Sequence, residues 1–151
     1  MGVWNESEII MDRKSKFQGR CCAIHNQTEI NNLLQLLVQD TKSIAKASHP
    51  HMYAWRTGEL VDVSSNSGKN SAKHSSKKNK SPVTKNVQQG CVDNDEAGAG
   101  QRLLTLLERA NVVNVLVIVT RWYGGTPLGS ARFRHISSAA VQTLKKGGFL
   151  T

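Results

Sequence analysis

The sequence predicts an α+β domain in which helices cover one face of a β-sheet. One reason is the apolar run at residues 112–119, whose length and composition are typical of a buried strand. A second is the segment after Thr28, where large apolar residues recur at the spacing of one helical face. A third is the alternation of strand-like and helix-like segments along the chain. At 151 residues, the chain fits a single domain spanning residues 1–151.

The first half of the chain predicts a strand, a helix and a second strand. Residues 17–24 are rich enough in apolar side chains for the first strand. Thr28 is predicted to cap the helix. The inner face of that helix comprises Ile30, Leu33, Leu34, Leu37 and Val38. Residues 51–57 suit a strand that ends at Gly58, and residues 59–63 are predicted to return as its hairpin partner.

The second half predicts a helix, the buried strand and a final helix. The helical spacing resumes at Leu103, Leu104, Leu107 and Ala110. Because residues 112–119 are apolar apart from Asn114, the strand should be buried on both faces, with Val117 in the core. The last helix is predicted to end at Gly147. Its inner side comprises Ile136, Ala139, Ala140, Thr143 and Leu144.

A lysine-rich segment interrupts this pattern at residues 64–89. It contributes six of the positive charges behind a net charge of +9 and contains no acidic residue, so the rest of the chain carries only +3. Because it has almost no large apolar side chains, it cannot offset the entropy of ordering. We predict a disordered insertion within one domain. It is either a solvated loop or a basic arm that attracts polyanions.

Cysteine usage and hydropathy bound the compartment. Cys21, Cys22 and Cys91 form no Cys-x-x-Cys pair, a pattern that suits reduced thiols rather than a disulfide or metal framework. No apolar run approaches the roughly 20 residues that span a bilayer. The chain is therefore expected to be soluble and intracellular.

The residues at the end of the buried strand are typical of a ligand-binding site at a sheet edge. Arg121, Trp122 and Tyr123 follow the apolar run and lead into Gly124 and Gly125. Because glycine permits backbone turns and helix N-termini offer free N–H groups, this edge could clasp a phosphate, with Arg121 at the surface.

The loop and helix that follow add Gly129, Arg132 and His135 to that candidate edge. Arg132 and His135 are about one helical turn apart on the helix. The alternative is that Trp122 and Tyr123 are packing residues and that the glycines serve only the turn.

Acidic and histidine side chains offer two further candidate sites. Asp93, Asp95 and Glu96 could hold a divalent cation or perform acid/base chemistry, but they more simply cap the following helix. His49 and His51 could bind metal, but such histidines are more often hydrogen-bonded structural residues. The phosphate-loop and dinucleotide motifs are incomplete, which disfavours a nucleotide-hydrolysing enzyme.

Several long motifs resemble those of the IMPACT family in its eukaryotic form. They are DNDEAGAGQRLL at 93–104, NVLVIVTRWYGG at 114–125, LG at 128–129, RFRHI at 132–136, DRKSKFQ at 12–18, ASH at 47–49 and YAWR at 53–56. Apart from the insertion, the resemblance covers nearly the whole chain.

The resemblance implies a fold similar to the second domain of ribosomal protein S-five, with helices packed on a mixed sheet. It also implies a role in translational control, because eukaryotic family members oppose activation of the kinase that phosphorylates an initiation factor during amino-acid starvation. Those proteins carry an additional N-terminal RWD domain, for which this sequence has no room.

These observations favour a non-enzymatic cytoplasmic protein of the stress response that binds translation machinery, RNA or a regulatory protein. No cofactor, metal or membrane partner is expected. The expected binding residues are Asp93, Asp95, Glu96, Arg121, Trp122, Tyr123, Gly124, Gly125, Gly129, Arg132 and His135. The alternative is a phosphate- or nucleotide-binding protein or enzyme that uses the edge at residues 121–125. A third possibility is a protein-binding module anchored by Trp122 and Tyr123.

Overall fold

The computed structural model describes residues 4–61 and 83–151 and confirms the α+β class. Within these ranges the strands are β1 (Asn5–Glu6), β2 (Ile10–Asp12), β3 (Ser15–Ala23), β4 (His49–Val61), β5 (Val83–Val92) and β6 (Val115–Trp122). The helices are α1 (Ile30–Asp40), α2 (Lys42–Ala45), α3 (Ala99–Arg109) and α4 (Ala131–Lys146). No helix of the described part is long and apolar enough to cross a membrane.

The strands form one sheet in the order β1-β3-β6-β4-β5, and β2 pairs with β3. Every strand pair between described residues is antiparallel, where the family resemblance implied a mixed sheet. Val117 lies opposite Cys21 on one side and Ala54 on the other. The apolar strand β6 is therefore the centre of the sheet.

Helices cover both faces of the sheet rather than the single face that the sequence predicts. One face of β6 packs with α3 and α4 through residues such as Val117, Leu103 and Ile136. The other face packs with α1 and α2, in a second core that contains Leu116 and Ile44. The short helix α2 closes this second layer, and its four residues are too few for a readable periodicity.

The predicted burial of β6 on both faces is confirmed. Val117 and Leu116 point to opposite faces, and both side chains are fully buried. An unbroken apolar run, as at residues 115–119, is what such a position requires, because neither face meets water.

The start of the first helix differs from the prediction. The cap is Asn26 rather than Thr28, because the Asn26 side chain accepts a hydrogen bond from the Thr28 backbone N–H at 2.9 Å. The Glu29 carboxylate accepts in return from the Asn26 backbone N–H at 2.9 Å. This reciprocal capping box begins a short 3-10 turn, Gln27–Glu29, ahead of α1.

The prediction for the region around the insertion is wrong at both ends. Residues 59–61 continue β4 instead of turning back, and the partner strand is Val83–Val92. Residues 83–89 of the predicted disordered segment therefore belong to β5. This strand ends the sheet order and exposes polar side chains, so it lacks an apolar signal. The remainder of the predicted insertion, residues 64–82, lies outside the described residues.

Candidate functional site

The end of β6 separates the predicted site residues onto two faces of the sheet. Side chains alternate along a strand, so Arg121 follows Val117 and Val119 toward α3 and α4. Trp122 follows Leu116 and Ile118 toward α1 and α2. The expected single edge is therefore two neighbouring sites with different environments.

On the first face, a buried carboxylate collects three basic side chains, here named the Glu96 cluster. The Glu96 carboxylate is 5% exposed. Its Oε2 lies 2.9 Å from Arg121 Nη1 and 2.6 Å from Arg132 Nε. Its Oε1 lies 3.1 Å from His49 Nε2. Glu96 thus joins the loop before α3 to β6, to α4 and to the start of β4.

The position of Arg121 corrects the expectation that it is a surface residue, since its side chain is only 4% exposed. Strand pairing places Arg121 opposite Phe17, and its guanidinium lies 5.2 Å from the Phe17 ring centroid. It also lies 5.4 Å from the ring of Tyr123. A buried guanidinium needs a carboxylate, and Glu96 supplies it. The Arg121 side chain therefore packs inside the fold and not on its exposed surface.

His49 completes the cluster from the opposite side. Its Nδ1 lies 2.9 Å from the Asn94 carbonyl oxygen, and its Nε2 faces Glu96. Both partners are acceptors, so both contacts are hydrogen bonds only when each ring nitrogen carries a proton. In that form the cluster holds three cations around one carboxylate.

The acidic residues before α3 have three separate roles. Asp93 accepts hydrogen bonds from the backbone N–H groups of Gly98 at 3.1 Å and Gly100 at 2.7 Å, and so caps α3. Asp95 is exposed, and Glu96 points into the cluster. Among residues 4–61 and 83–151, no group of three or more His, Cys, Asp or Glu residues could hold a metal ion.

The other two predicted histidines also have structural surroundings. The His135 Nε2 lies 2.8 Å from the Asp12 carboxylate, and its ring packs against Phe17 at a centroid distance of 5.2 Å. This hydrogen bond lowers the pKa of the Asp12 carboxyl. Burial lowers the pKa of His51, whose backbone N–H donates to the Asn94 side chain.

The glycine turn serves close packing of the backbone. A side chain at Gly124 would bring its Cβ within 2.2 Å of the Lys14 backbone, so only glycine fits. Gly125 and Gly129 have positive φ values of 97° and 60°, which side chains disfavour. The turn therefore holds the end of β6 against the β2–β3 turn.

On the second face lies a basic groove, named here the Trp122 groove, with a volume of about 430 Å³. It is lined by Ile9, Lys14, Lys16, Gln18, Ser43, Lys46 and Trp122. Lys16 is the direct cross-strand neighbour of Trp122. The three lysines are exposed, and none forms an ion pair with another described residue.

Sequence reasoning found Trp122 but missed the lysines around it. Lys14 and Lys16 stand in the polar stretch before the first strand, which was a visible signal. Lys46 follows α2 and reaches the groove only through the packing of that short helix, so local sequence carries no sign of it.

A second groove, of about 820 Å³, lies between α3 and α4. Its lining includes the apolar side chains of Leu106 and Phe133 and the basic side chains of Arg102 and Arg109. The Arg102 guanidinium lies 5.0 Å from the centroid of the Phe133 ring. Tyr123, by contrast, lines neither groove and is 48% exposed at the tip of β6.

Comparison with known proteins shows which family the sequence matches. Residues 13–144 match the family model described as the Impact N-terminal domain. An IMPACT family member of Saccharomyces cerevisiae is 61% identical, over 98% of this chain and 94% of its own length. Protein IMPACT-B of Xenopus tropicalis is 37% identical over 94% of this chain, but only 37% of its own length is covered.

A solved structure, that of the two-domain translational regulator Yih1, is similar across 100% of this chain, with 30% identity and a TM-score of 0.57. The match covers 49% of the Yih1 chain. The chain thus spans nearly the full length of one relative and about half or less of the other two proteins.

Proposed function

The chain belongs to the IMPACT family, and from this membership we propose that it is a cytoplasmic, non-catalytic regulator of translation that acts by binding RNA of the translation machinery. The similarity to a translational regulator supports the process. Because the chain covers only part of that regulator, the activity is inferred for this domain from its own surface.

The observation that carries the RNA part of the proposal is the unpaired positive charge at the end of β6. Lys14, Lys16 and Lys46 surround an aromatic side chain, and no carboxylate of the described residues lines the same groove. Phosphate groups supply the missing negative charge, and nucleic-acid bases stack on aromatic rings. Lysines beside a tryptophan are therefore a surface suited to RNA.

The enzyme alternative has weaker support. It relies on Arg121 as a phosphate ligand, but the Arg121 guanidinium is buried and paired with Glu96 at 2.9 Å. A ligand at that edge would have to compete with this ion pair inside a closed cluster. Tyr123 is exposed at that edge, whereas Arg132 is also paired with Glu96, at 2.6 Å.

The groove between α3 and α4 favours a second candidate function, binding of a protein segment. Leu106 and Phe133 offer an apolar floor, and Arg102 and Arg109 lie beside it. An amphipathic segment with acidic residues would match this lining. This surface lies on a different face from the Trp122 groove, so both functions can coexist.

The proposed function is tested in cells that lack the protein and in cells that overproduce it. We expect both changes to alter the level of phosphorylated initiation factor during amino-acid starvation. We also expect the intact chain to sediment with ribosomal particles and to leave them after ribonuclease treatment. An unchanged starvation response together with no ribosomal association would contradict the proposal.

A further inference from the structure

We infer that the Trp122 groove is a site for single-stranded RNA, in which a base stacks on Trp122 and flanking phosphates contact Lys14, Lys16 and Lys46. This inference rests on the proposed function for its choice of RNA. Four features of the groove support it: the strand register, the position of the indole, the unpaired charge and the size.

Strand register fixes the central pair. Lys16 of β3 lies directly opposite Trp122 of β6, and side chains at opposed positions share a face of the sheet. The Lys16 side chain therefore leaves the backbone next to the indole, and both side chains line the groove. An anion bound at Lys16 would lie next to the aromatic ring.

The indole is held in place before any ligand arrives. Its Nε1 donates a hydrogen bond to the Ser43 carbonyl oxygen at 2.8 Å. The same side chain packs partly against the second core, so it has both a polar and an apolar anchor. A pre-positioned ring loses little conformational entropy on stacking, which favours binding.

The positive charges come from three parts of the fold. Lys14 stands in the β2–β3 turn at a φ of 72°, Lys16 is the second residue of β3, and Lys46 follows α2. Because none of them has a carboxylate partner among the described residues, their charge is available to a ligand. Lysine binds phosphate as a point charge without strict geometry, which suits a flexible backbone.

The dimensions favour a single strand over a duplex. A volume of about 430 Å³ is at the lower end of small-molecule sites and is of the size of one nucleotide. A base can reach the indole only when it is unstacked, as in loops and single strands. Since every base has a stacking face, the site should tolerate most sequences.

The experiment measures the anisotropy of a labelled ten-nucleotide single-stranded RNA as the full chain is added, at two salt concentrations. One variant replaces Lys14, Lys16 and Lys46 with glutamine. Its control replaces Lys85, Lys145 and Lys146, which are exposed and line neither groove, so the net charge is matched.

We expect the groove variant to raise Kd more than tenfold and to lower the salt slope by about 2, because each phosphate contact contributes about 0.7 on a single strand. The control should stay within about twofold of the wild type. Equal losses in the two variants would overturn the inference, because they would show attraction by net charge alone.

Two substitutions test the stacking. Trp122→Phe and Trp122→Ala both remove the hydrogen bond to Ser43, but only phenylalanine keeps an aromatic ring. We expect Trp122→Phe to bind within about threefold of the wild type and Trp122→Ala to lose about tenfold or more. Equal losses would overturn stacking and leave a packing role.

The lysines of the insertion need separate treatment, because they could bind RNA themselves. All variants are therefore repeated in a full-length background in which Lys69, Lys73, Lys77, Lys78 and Lys80 are serine. We expect the groove variant to lose binding in this background as well. If the serine background with an intact Trp122 groove no longer binds RNA, the inference is overturned.

A final competition separates RNA from an acidic protein partner. Unlabelled RNA should displace the probe, and polyglutamate at the same concentration of charge should not. Equal displacement would assign the groove to an acidic polypeptide.

RNA binding without any change in starvation response would contradict the proposed function alone. An altered starvation response, together with RNA binding that the groove variant does not affect, would contradict this inference alone.

Discussion

Arg121 and Trp122 are consecutive residues, yet they belong to two environments that differ in almost every physical respect. Arg121 is 4% exposed, and its guanidinium is paired with a buried carboxylate. Trp122 lies beside three exposed lysines that have no acidic partner among the described residues. On one face of the strand end the cation is paired with a buried carboxylate, and on the other face the lysines have no carboxylate partner among the described residues.

The difference teaches that cationic side chains near a strand end need not share a function. A buried cation must be paired when the chain folds, so its partner is part of the fold. An exposed lysine keeps its hydration until a ligand replaces it. Substitutions on the Glu96 cluster should therefore change stability, and substitutions in the Trp122 groove should change binding.

The largest effect is expected for Glu96→Gln, which leaves Arg121, Arg132 and His49 without their shared carboxylate. We expect a loss of about 3–5 kcal/mol in the free energy of unfolding, measured by urea denaturation. Asp95→Asn is the matched control, because Asp95 is in the same loop but exposed, and it should change stability by less than about 0.5 kcal/mol. Similar losses in unfolding free energy for both variants would show that the Glu96 cluster stabilises the fold no more than an exposed carboxylate of the same loop.

Arg121→Met should have the next largest effect. Glu96 would keep Arg132 and His49, so we expect a smaller loss of about 2 kcal/mol. Lys16→Met, the corresponding change on the other face, should stay within about 0.5 kcal/mol. If the two methionine variants have equal unfolding free energies, the distinction between the faces fails.

A smaller, pH-dependent effect is expected at the rim of the first face. The hydrogen bond with His135 lowers the pKa of Asp12 in the folded state. The resulting stabilisation is present above the ordinary carboxyl pKa of 3.8 and is lost as pH falls through the lower folded value. The stability gap between wild type and Asp12→Asn should therefore close in acid. A stability gap that widens below pH 4 would show that folding raises the pKa of Asp12 and does not lower it.

The smallest effect on stability is expected for the triple replacement of Lys14, Lys16 and Lys46 by glutamine. These exposed side chains form no ion pairs with described residues, so folding should hardly depend on their charge. We expect the thermal midpoint to stay within about 2 °C of the wild type. A large fall would indicate that the groove is structural.

Sequence alone predicted the parts of this molecule that depend on local pattern. The continuous apolar run of β6 indicated its burial on both faces, and the paired glycines indicated the turn that Gly124 makes against Lys14. The spacing of Leu103 and Leu107 indicated α3, in which both are buried.

The remaining features depend on register and long-range packing. Arg121 is buried because strand pairing sets it beside Phe17, and its partner Glu96 comes from a distant loop. No pattern around Arg121 carries that information. In the same way, β5 is an edge strand whose polar side chains resemble a loop, and Lys46 joins Lys16 only after α2 packs.

The most direct test of this division is the thermal midpoint of three proteins with and without single-stranded RNA. With RNA at about 100 times Kd, the free energy of unfolding of the wild type should rise by about 2.7 kcal/mol. This corresponds to a rise of roughly 5–10 °C in its thermal midpoint. Arg121→Met should start lower and show the same gain, with Arg121→Lys as a milder substitute should it not fold. The triple lysine variant should start at the wild-type midpoint and show less than about half the gain. A full gain in the lysine variant, or a gain lost only with Arg121, would contradict the account.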